Sequence, residues 1–175
     1  MADWQIIGNA RAVSALTSAV SSGAPARSYL FAGPERVGKA AAALRLAQAL
    51  NCTAGDPPCL ACETCRRIGE AKFADVHTVT VETTTDGPAH KVIAVEQMCD
   101  VEATVALAPY EGRKRVVIID PAEEMSVEAQ NAFLKTLEEP PAHVVFILAT
   151  TDPKKIPATV LSRCQRFDFH PIPPE

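Results

Sequence analysis

The chain has 175 residues, of which 47% are hydrophobic, 22% charged and 5% aromatic, as is usual for one compact domain with a sizeable core. Its net charge of −4 argues against strong nucleic-acid binding by the chain alone, because free-standing binders carry a basic surface. No apolar run reaches the roughly 18 to 20 residues of a membrane helix, and the N-terminus lacks the positive charge of a signal peptide. We therefore expect a cytoplasmic protein without membrane contact.

The first elements follow the order strand, glycine-containing loop, helix. Residues 9–23 carry apolar side chains at helical spacing and end in glycine, which predicts an amphipathic helix. Residues 28–33 form a short apolar run typical of a buried strand, and the Ala/Leu-rich residues 39–51 predict a helix.

The loop between this strand and helix resembles the phosphate-binding pattern G-x-x-x-x-G-K-[ST]. Such a loop points backbone N–H groups at an anion, and its lysine reaches the β- and γ-phosphates. Ala40 stands where the hydroxyl that ligates Mg²⁺ is expected, so we expect ATP or ADP binding with an impaired magnesium site. The alternative is a plain glycine turn. The loop comprises Gly33, Pro34, Glu35, Arg36, Val37, Gly38, Lys39 and Ala40.

The middle of the chain continues the alternation of strands and helices. Residues 75–82 alternate well enough for a strand, and the polar residues 83–90 predict a mobile loop. Residues 92–109 predict a helix with Val92 on its inner face, and residues 113–120 a buried strand.

The last part of the chain predicts a further helix, strand and helix. Residues 126–141 read as a helix that Ser126 caps and a double proline ends. Residues 143–151 predict a buried strand, 157–164 a short helix, and 166–175 a short strand followed by a proline-rich linker. This order predicts an α/β fold with a parallel sheet and right-handed crossovers.

Asp120 follows the strand at residues 113–120, where phosphate-loop ATPases place an acid that holds Mg²⁺. The next residue is Pro121, which cannot activate water, and a helix start is expected to aim Glu123 and Glu124 elsewhere. Together with Ala40, this argues against autonomous hydrolysis. The alternative is a strand-end acid with no metal role.

Four of the six cysteines form the pattern C-x6-C-x2-C-x2-C in a segment rich in turn residues. Four thiolates at this spacing can enclose a tetrahedral Zn²⁺ with no open position, which predicts a structural zinc site rather than disulfides. The alternative is a group of reduced thiols. Cys99 and Cys164 are predicted in the core. The predicted ligands are Cys52, Cys59, Cys62 and Cys65.

Several stretches together resemble the ATPase-like domain of bacterial DNA polymerase III clamp-loader subunits, in the AAA+ superfamily. They are the phosphate loop with its flanking elements, the cysteine cluster, "NAFLKTLEEPP" and "FILATTDPKKIPATVLSRCQRFDF". The resemblance implies a RecA-like AAA+ domain over residues 1–175, with a zinc module at about residues 52–65 inserted. It also implies that the chain is an N-terminal fragment followed by lid and collar domains.

Two subunit types share this pattern. The motor subunit gamma/tau has Thr after the loop lysine and Asp-Glu-x-His at the strand end, where this chain has Ala40 and Asp120-Pro121-Ala122-Glu123. The resemblance therefore favours the delta-prime type, whose nucleotide site is commonly degenerate, with gamma/tau as the alternative. A third hypothesis is a phosphate-loop kinase with a structural zinc, although no separate segment for an acceptor pocket and lid is evident.

The resemblance also implies roles for individual residues. Arg163 would be an arginine finger that reaches ATP on a neighbouring subunit, Thr151 a sensor of the γ-phosphate, and Ile7 and Gly8 part of the adenine pocket. The implied partners are gamma/tau and delta subunits, the sliding clamp and, through the assembly, primer-template DNA. The expected function is to help load the clamp onto primed DNA.

Overall fold

A computed structural model describes residues 3–83 and 91–172 of the chain. The helices are α1 (Ala10–Ser21), α2 (Lys39–Asn51), α3 (Glu63–Gly69), α4 (Val95–Val105), α5 (Val127–Glu138) and α6 (Ala158–Leu161). The strands are β1 (Ser28–Ala32), β2 (Val76–Val79), β3 (Glu82–Thr83), β4 (Lys91–Val92), β5 (Arg115–Ile119), β6 (Val144–Thr150) and β7 (Gln165–Asp168). None of the helices in these ranges has the length and apolar character needed to cross a membrane.

Five strands form a parallel sheet in the order β2-β5-β6-β1-β7. Every residue of β5, β6 and β1 is buried, because their Val/Ile-rich runs are covered on both faces. The predicted parallel α/β fold is confirmed. The carboxyl ends of β1, β5 and β6 meet at one edge, where open α/β sheets bind ligands.

Helices cover the two faces of the sheet with separate cores. On one face, Leu16 of α1 and Leu46 of α2 pack with Phe31 of β1. On the other face, Met98 of α4 and Phe133 of α5 pack with residues of β5 and β6. The apolar patterns predicted for α1 and α4 therefore correspond to the faces that these helices bury.

The structure differs from the sequence prediction in three places. Val92 does not begin a helix: it pairs with Glu82 in a small antiparallel sheet, and α4 starts at Val95. Cys99 is exposed on α4 rather than in the core, whereas Cys164 is half-buried against the second core. Helix α3 was not predicted, because it is short and begins inside the cysteine-rich segment that was read as turns. Residues 84–90 of the predicted mobile loop lie outside the described residues.

Candidate functional site

The phosphate loop joins the end of β1 to the start of α2. A side chain could not fit at Gly33, since an added Cβ would lie 2.3 Å from the carbonyl oxygen of Phe169. Gly38 has a φ of 94°, in the left-handed region that glycine adopts without strain, and it directly precedes the first residue of α2. These two glycines therefore allow the tight backbone path that an anion-binding loop needs.

Lys39 is bonded to its own loop in this structure. Its Nζ donates to the carbonyl oxygen of Gly33 at 2.6 Å and to that of Pro34. Burial lowers the pKa of Lys39, and the carboxylates of Asp120 and Glu123 oppose this effect. A bound phosphate would therefore compete with two carbonyl groups for the ammonium group.

A cavity of about 720 Å³ opens between the loop and the carboxyl ends of β5 and β6. It brings together most of the predicted nucleotide-site residues, and at this size it can accommodate a nucleotide-sized ligand. The predicted residues that line it are Glu35, Arg36, Gly38, Lys39, Ala40, Asp120 and Thr151.

Asp120 lies in this cavity directly after β5, and its backbone N–H donates to the carbonyl of Val79 at 3.0 Å. Burial raises the pKa of Asp120, and nearby Lys39 opposes the increase. Mg²⁺ is commonly bound by one or two carboxylates together with waters and phosphates, so Asp120 fits as a ligand even though Ala40 offers only a methyl group.

Glu123 lines the cavity, and the prediction that Glu123 and Glu124 point elsewhere was wrong. Its Oε1 accepts hydrogen bonds from Thr151 Oγ1 at 2.7 Å and from Thr151 N at 3.3 Å. Its Oε2 is buried and has no hydrogen-bond partner in the described structure. The cause is local: residues 122–124 form a single 3-10 turn before α5, which directs Glu123 toward the end of β6.

The two predicted adenine-pocket residues differ in their placement. Gly8 lines a second cavity of about 350 Å³, and an added Cβ would lie 2.8 Å from Ile172 Cγ1. Ile7 lines neither cavity, and its side chain is 78% exposed. Only Gly8 therefore fits a pocket wall in this conformation.

Arg163 lies outside both cavities, just after α6. Its Nη1 donates to the carbonyl of Thr159 at 2.6 Å, and its Nη2 is 3.3 Å from Oε1 of Glu138 on α5. The guanidinium is thus held on the surface of its own domain rather than directed at the domain's own phosphate loop.

The four predicted zinc ligands lie together where α2 ends and α3 begins. Their sulfur atoms are all within 4.8 Å of one another, so the cluster could hold one metal ion. Cys52 follows the last residue of α2, Cys62 precedes α3, and Cys65 lies within α3. Four thiols in this arrangement fit the donor set of a structural zinc site.

Backbone amides point at the sulfur atoms of this cluster. Cys62 N donates to Cys59 Sγ at 3.2 Å, and Cys65 N donates to Cys62 Sγ at 3.4 Å. Burial raises the pKa of Cys62, but amide hydrogen bonds from Cys65 and Thr53 outweigh it and lower this pKa to about 6. The cluster is joined to α2 by Gln48, whose Nε2 donates to the carbonyl of Cys65 at 2.7 Å.

Comparison with known proteins places the sequence among subunits of DNA polymerase III. The profile of a family described as "DNA polymerase III, delta subunit" matches residues 8–173. The tau subunit from Salmonella typhimurium is 42% identical over 93% of this chain and 24% of its own length. The tau subunit from Bacillus subtilis is 39% identical over 95% of this chain and 29% of its own length. The chain thus spans about a quarter of these curated relatives.

Solved structures share the fold. A gamma subunit-related protein from Thermotoga maritima superposes with a TM-score of 0.66 at 22% identity, covering 92% of this chain and 46% of that one. The RuvB Holliday junction branch migration motor of the same organism gives 0.56 at 16% identity, covering 93% and 45%. At these identities the likeness concerns the fold alone, and it agrees with the predicted parallel-sheet phosphate-loop architecture.

Proposed function

The chain belongs to the DNA polymerase III delta-subunit family of clamp-loader AAA+ proteins, and on this basis we propose that it is the nucleotide-binding domain of a gamma/tau-type clamp-loader subunit. Family membership confirms the predicted resemblance and argues against the kinase hypothesis. The proposal depends mainly on one observation: Lys39, Asp120 and Thr151 line a single cavity at the carboxyl edge of the sheet.

The sequence prediction preferred delta-prime, but the relatives described above fit the gamma/tau alternative better. The preference rested mainly on the missing catalytic groups at Ala40 and Pro121. Glu123 weakens the argument from Pro121, because Glu123 supplies a carboxylate in the cavity that Pro121 lacks. Asp120 weakens the argument from Ala40, because Mg²⁺ can be held by a single carboxylate when phosphates and waters complete its coordination shell.

In this proposal the amides of the loop and Lys39 hold the phosphates of ATP, and Asp120 would hold Mg²⁺, which neutralises phosphate charge. Glu123 accepts a proton from the attacking water, whose oxygen bonds to the γ-phosphorus while the bond to the bridging oxygen breaks. The proton then passes to the products, ADP and phosphate. Thr151 holds the Glu123 carboxylate in place through the 2.7 Å hydrogen bond.

We further propose that Arg163 serves a neighbouring subunit, because it is placed away from the domain's own phosphate loop. The partners would be other clamp-loader subunits, the sliding clamp and, through the assembly, primer-template DNA in the cytoplasm. The cysteine cluster would bind a structural Zn²⁺.

Binding of a fluorescent ATP analogue tests the proposal. We expect Lys39→Ala to bind roughly ten- to a hundredfold more weakly, because a charge-assisted hydrogen bond to phosphate is lost. Lys91→Ala, an exposed lysine on β4, is the matched control and should bind as the parent does. Equal affinity of the parent and Lys39→Ala would overturn the proposed site. Binding without any hydrolysis, alone or in the reconstituted loader, would favour delta-prime over gamma/tau.

A further inference from the structure

The side chain of Asn9 joins two segments that are far apart in the sequence. Its Nδ2 donates to the carbonyl of Val37 at 3.2 Å and to that of His170 at 3.3 Å. Its Oδ1 accepts a hydrogen bond from the backbone N–H of His170 at 2.8 Å. One amide group therefore contacts the phosphate loop and the segment after β7 at the same time.

Capping of α1 does not explain this side chain. Asn9 occupies the N-cap position, yet its side chain makes no hydrogen bond to the helix amides. Its backbone is left-handed, with a φ of 52°, a conformation that asparagine adopts more readily than most residues. The side chain is thereby turned away from the helix and toward Val37 and His170.

Residues 169–172 are linked to two parts of the phosphate loop, directly at Gly33 and through Asn9 at Val37. At its first residue, Gly33 lies against the backbone of Phe169 so closely that no Cβ would fit. Near its last residue, Val37 is joined to His170 through Asn9. The same segment also reaches the second cavity, where Ile172 lies against Gly8.

We propose that Asn9 is a positioning residue that fixes the end of the phosphate loop and couples nucleotide binding to residues 169–172. The inference rests on the proposed nucleotide-binding function. A phosphate in the loop competes for Lys39, which now bonds Gly33 and Pro34, and any shift of the loop is passed through the Asn9 bridge to His170. Coupling of this kind is reciprocal, so a disturbed bridge must also weaken nucleotide binding.

Two variants separate the two halves of the bridge. Asn9→Ala removes both, whereas Asn9→Asp loses the donor to the carbonyls of Val37 and His170 but keeps an oxygen that can accept from His170 N. Asn131→Ala, an exposed asparagine on α5, is the matched control. Each form of the 175-residue chain is measured for affinity toward a fluorescent ATP analogue and, by NMR, for hydrogen exchange of the His170 amide with and without ATP.

We expect ATP to slow exchange of the His170 amide in the parent and in Asn131→Ala. Asn9→Ala should bind ATP roughly fivefold more weakly, the effect of losing the neutral hydrogen bond to Val37 in the loop, and should show fast exchange at His170 regardless of ATP. Asn9→Asp should also bind more weakly, while His170 stays protected without ATP. A purely structural role would not separate these two readouts.

Each remaining outcome contradicts the inference. If Asn9→Ala binds ATP as tightly as the parent, or if ATP leaves exchange at His170 unchanged in the parent, the coupling does not exist. If the parent binds no ATP, the proposed function fails together with the coupling. In that case, slow His170 exchange in the parent and fast exchange in Asn9→Ala would leave only a structural contact.

Discussion

Glu123 is the residue on which the proposed chemistry depends most. Burial raises the pKa of this carboxyl, but the hydrogen bonds from Thr151 outweigh burial, and the net pKa is lowered. Glu123 is therefore ionised at neutral pH, as a general base must be.

We predict that Glu123→Gln reduces the steady-state rate of ATP hydrolysis by roughly 10² to 10⁴-fold while nucleotide affinity changes little, because only proton transfer is lost. Glu128→Gln, with the same charge change on an exposed part of α5, should hydrolyse at the parent rate. An unchanged rate in Glu123→Gln would remove this residue from the mechanism.

The pH dependence gives an independent check on the same residue. Since the pKa of Glu123 is lowered, protonation of Glu123 should reduce the rate only when pH drops below the ordinary range of a glutamate, about 4.3. Thr151→Val removes a donor that stabilises the ionised form, so the acid limb of the pH–rate profile should move to higher pH. A limb that stays in place would mean that Thr151 does not control this carboxylate.

At the scale of elements, Asp75 fixes the loop between α4 and β5. This fully buried carboxylate accepts from the amides of Tyr110, Glu111 and Gly112 at 2.6–2.7 Å and pairs with Arg115 at 3.2 Å. Burial raises the pKa of Asp75, but these amide bonds outweigh it and lower the net pKa. The stability that Asp75 contributes is thus present above the ordinary aspartate pKa and is lost as pH falls through the lowered one.

We predict that Asp75→Ala lowers the free energy of unfolding by about 3–5 kcal/mol, because it leaves Arg115 buried without its partner. Urea unfolding at pH 7 measures this loss. Asp100→Ala, at an exposed position of α4, should change stability by less than about 0.5 kcal/mol. A comparably small effect at Asp75 would show that the buried pair contributes little.

The cysteine module gives a second prediction at this scale. We expect one Zn²⁺ per chain by elemental analysis, and a lower Tm after chelation, because Cys52 and Cys65 tie α2 to α3 through the metal. Cys62→Ser should lose the metal, whereas Cys99→Ser, outside the cluster, should keep it. Retention of zinc by Cys62→Ser would contradict a four-thiolate site.

Most elements could be predicted from local sequence, and the exceptions have physical causes. The apolar spacing around Met98 predicts which face of α4 is buried, and the Ser126 cap predicts where α5 begins. By contrast, Val92 pairs with Glu82 in an antiparallel strand pair that helical spacing around Val92 does not encode. The orientation of Glu123 was missed because a single 3-10 turn leaves no periodic signal.

At the scale of the whole molecule, the proposed role of Arg163 depends on contact between subunits. We predict that Arg163→Ala in the full-length subunit lowers the steady-state ATPase rate of the reconstituted clamp loader, with clamp and primed DNA, by up to about 10³-fold. Its nucleotide affinity as an isolated chain should not change, since Arg163 lies outside the chain's own cavity. Arg66→Ala, an exposed arginine on α3, is the control. An unchanged assembly rate would exclude Arg163 as a finger.

The position of β1 between β6 and β7 has a consequence for folding order. The phosphate loop leaves β1 early in the sequence, yet Thr151, after β6, lines the same cavity, and Phe169, after β7, lies against Gly33. These pairings are far apart in the chain, and closing such long loops is slow. During synthesis, the chain would therefore gain its ligand site only after β6 has docked beside β1, and a nascent chain ending before β6 would carry the loop sequence without a formed pocket.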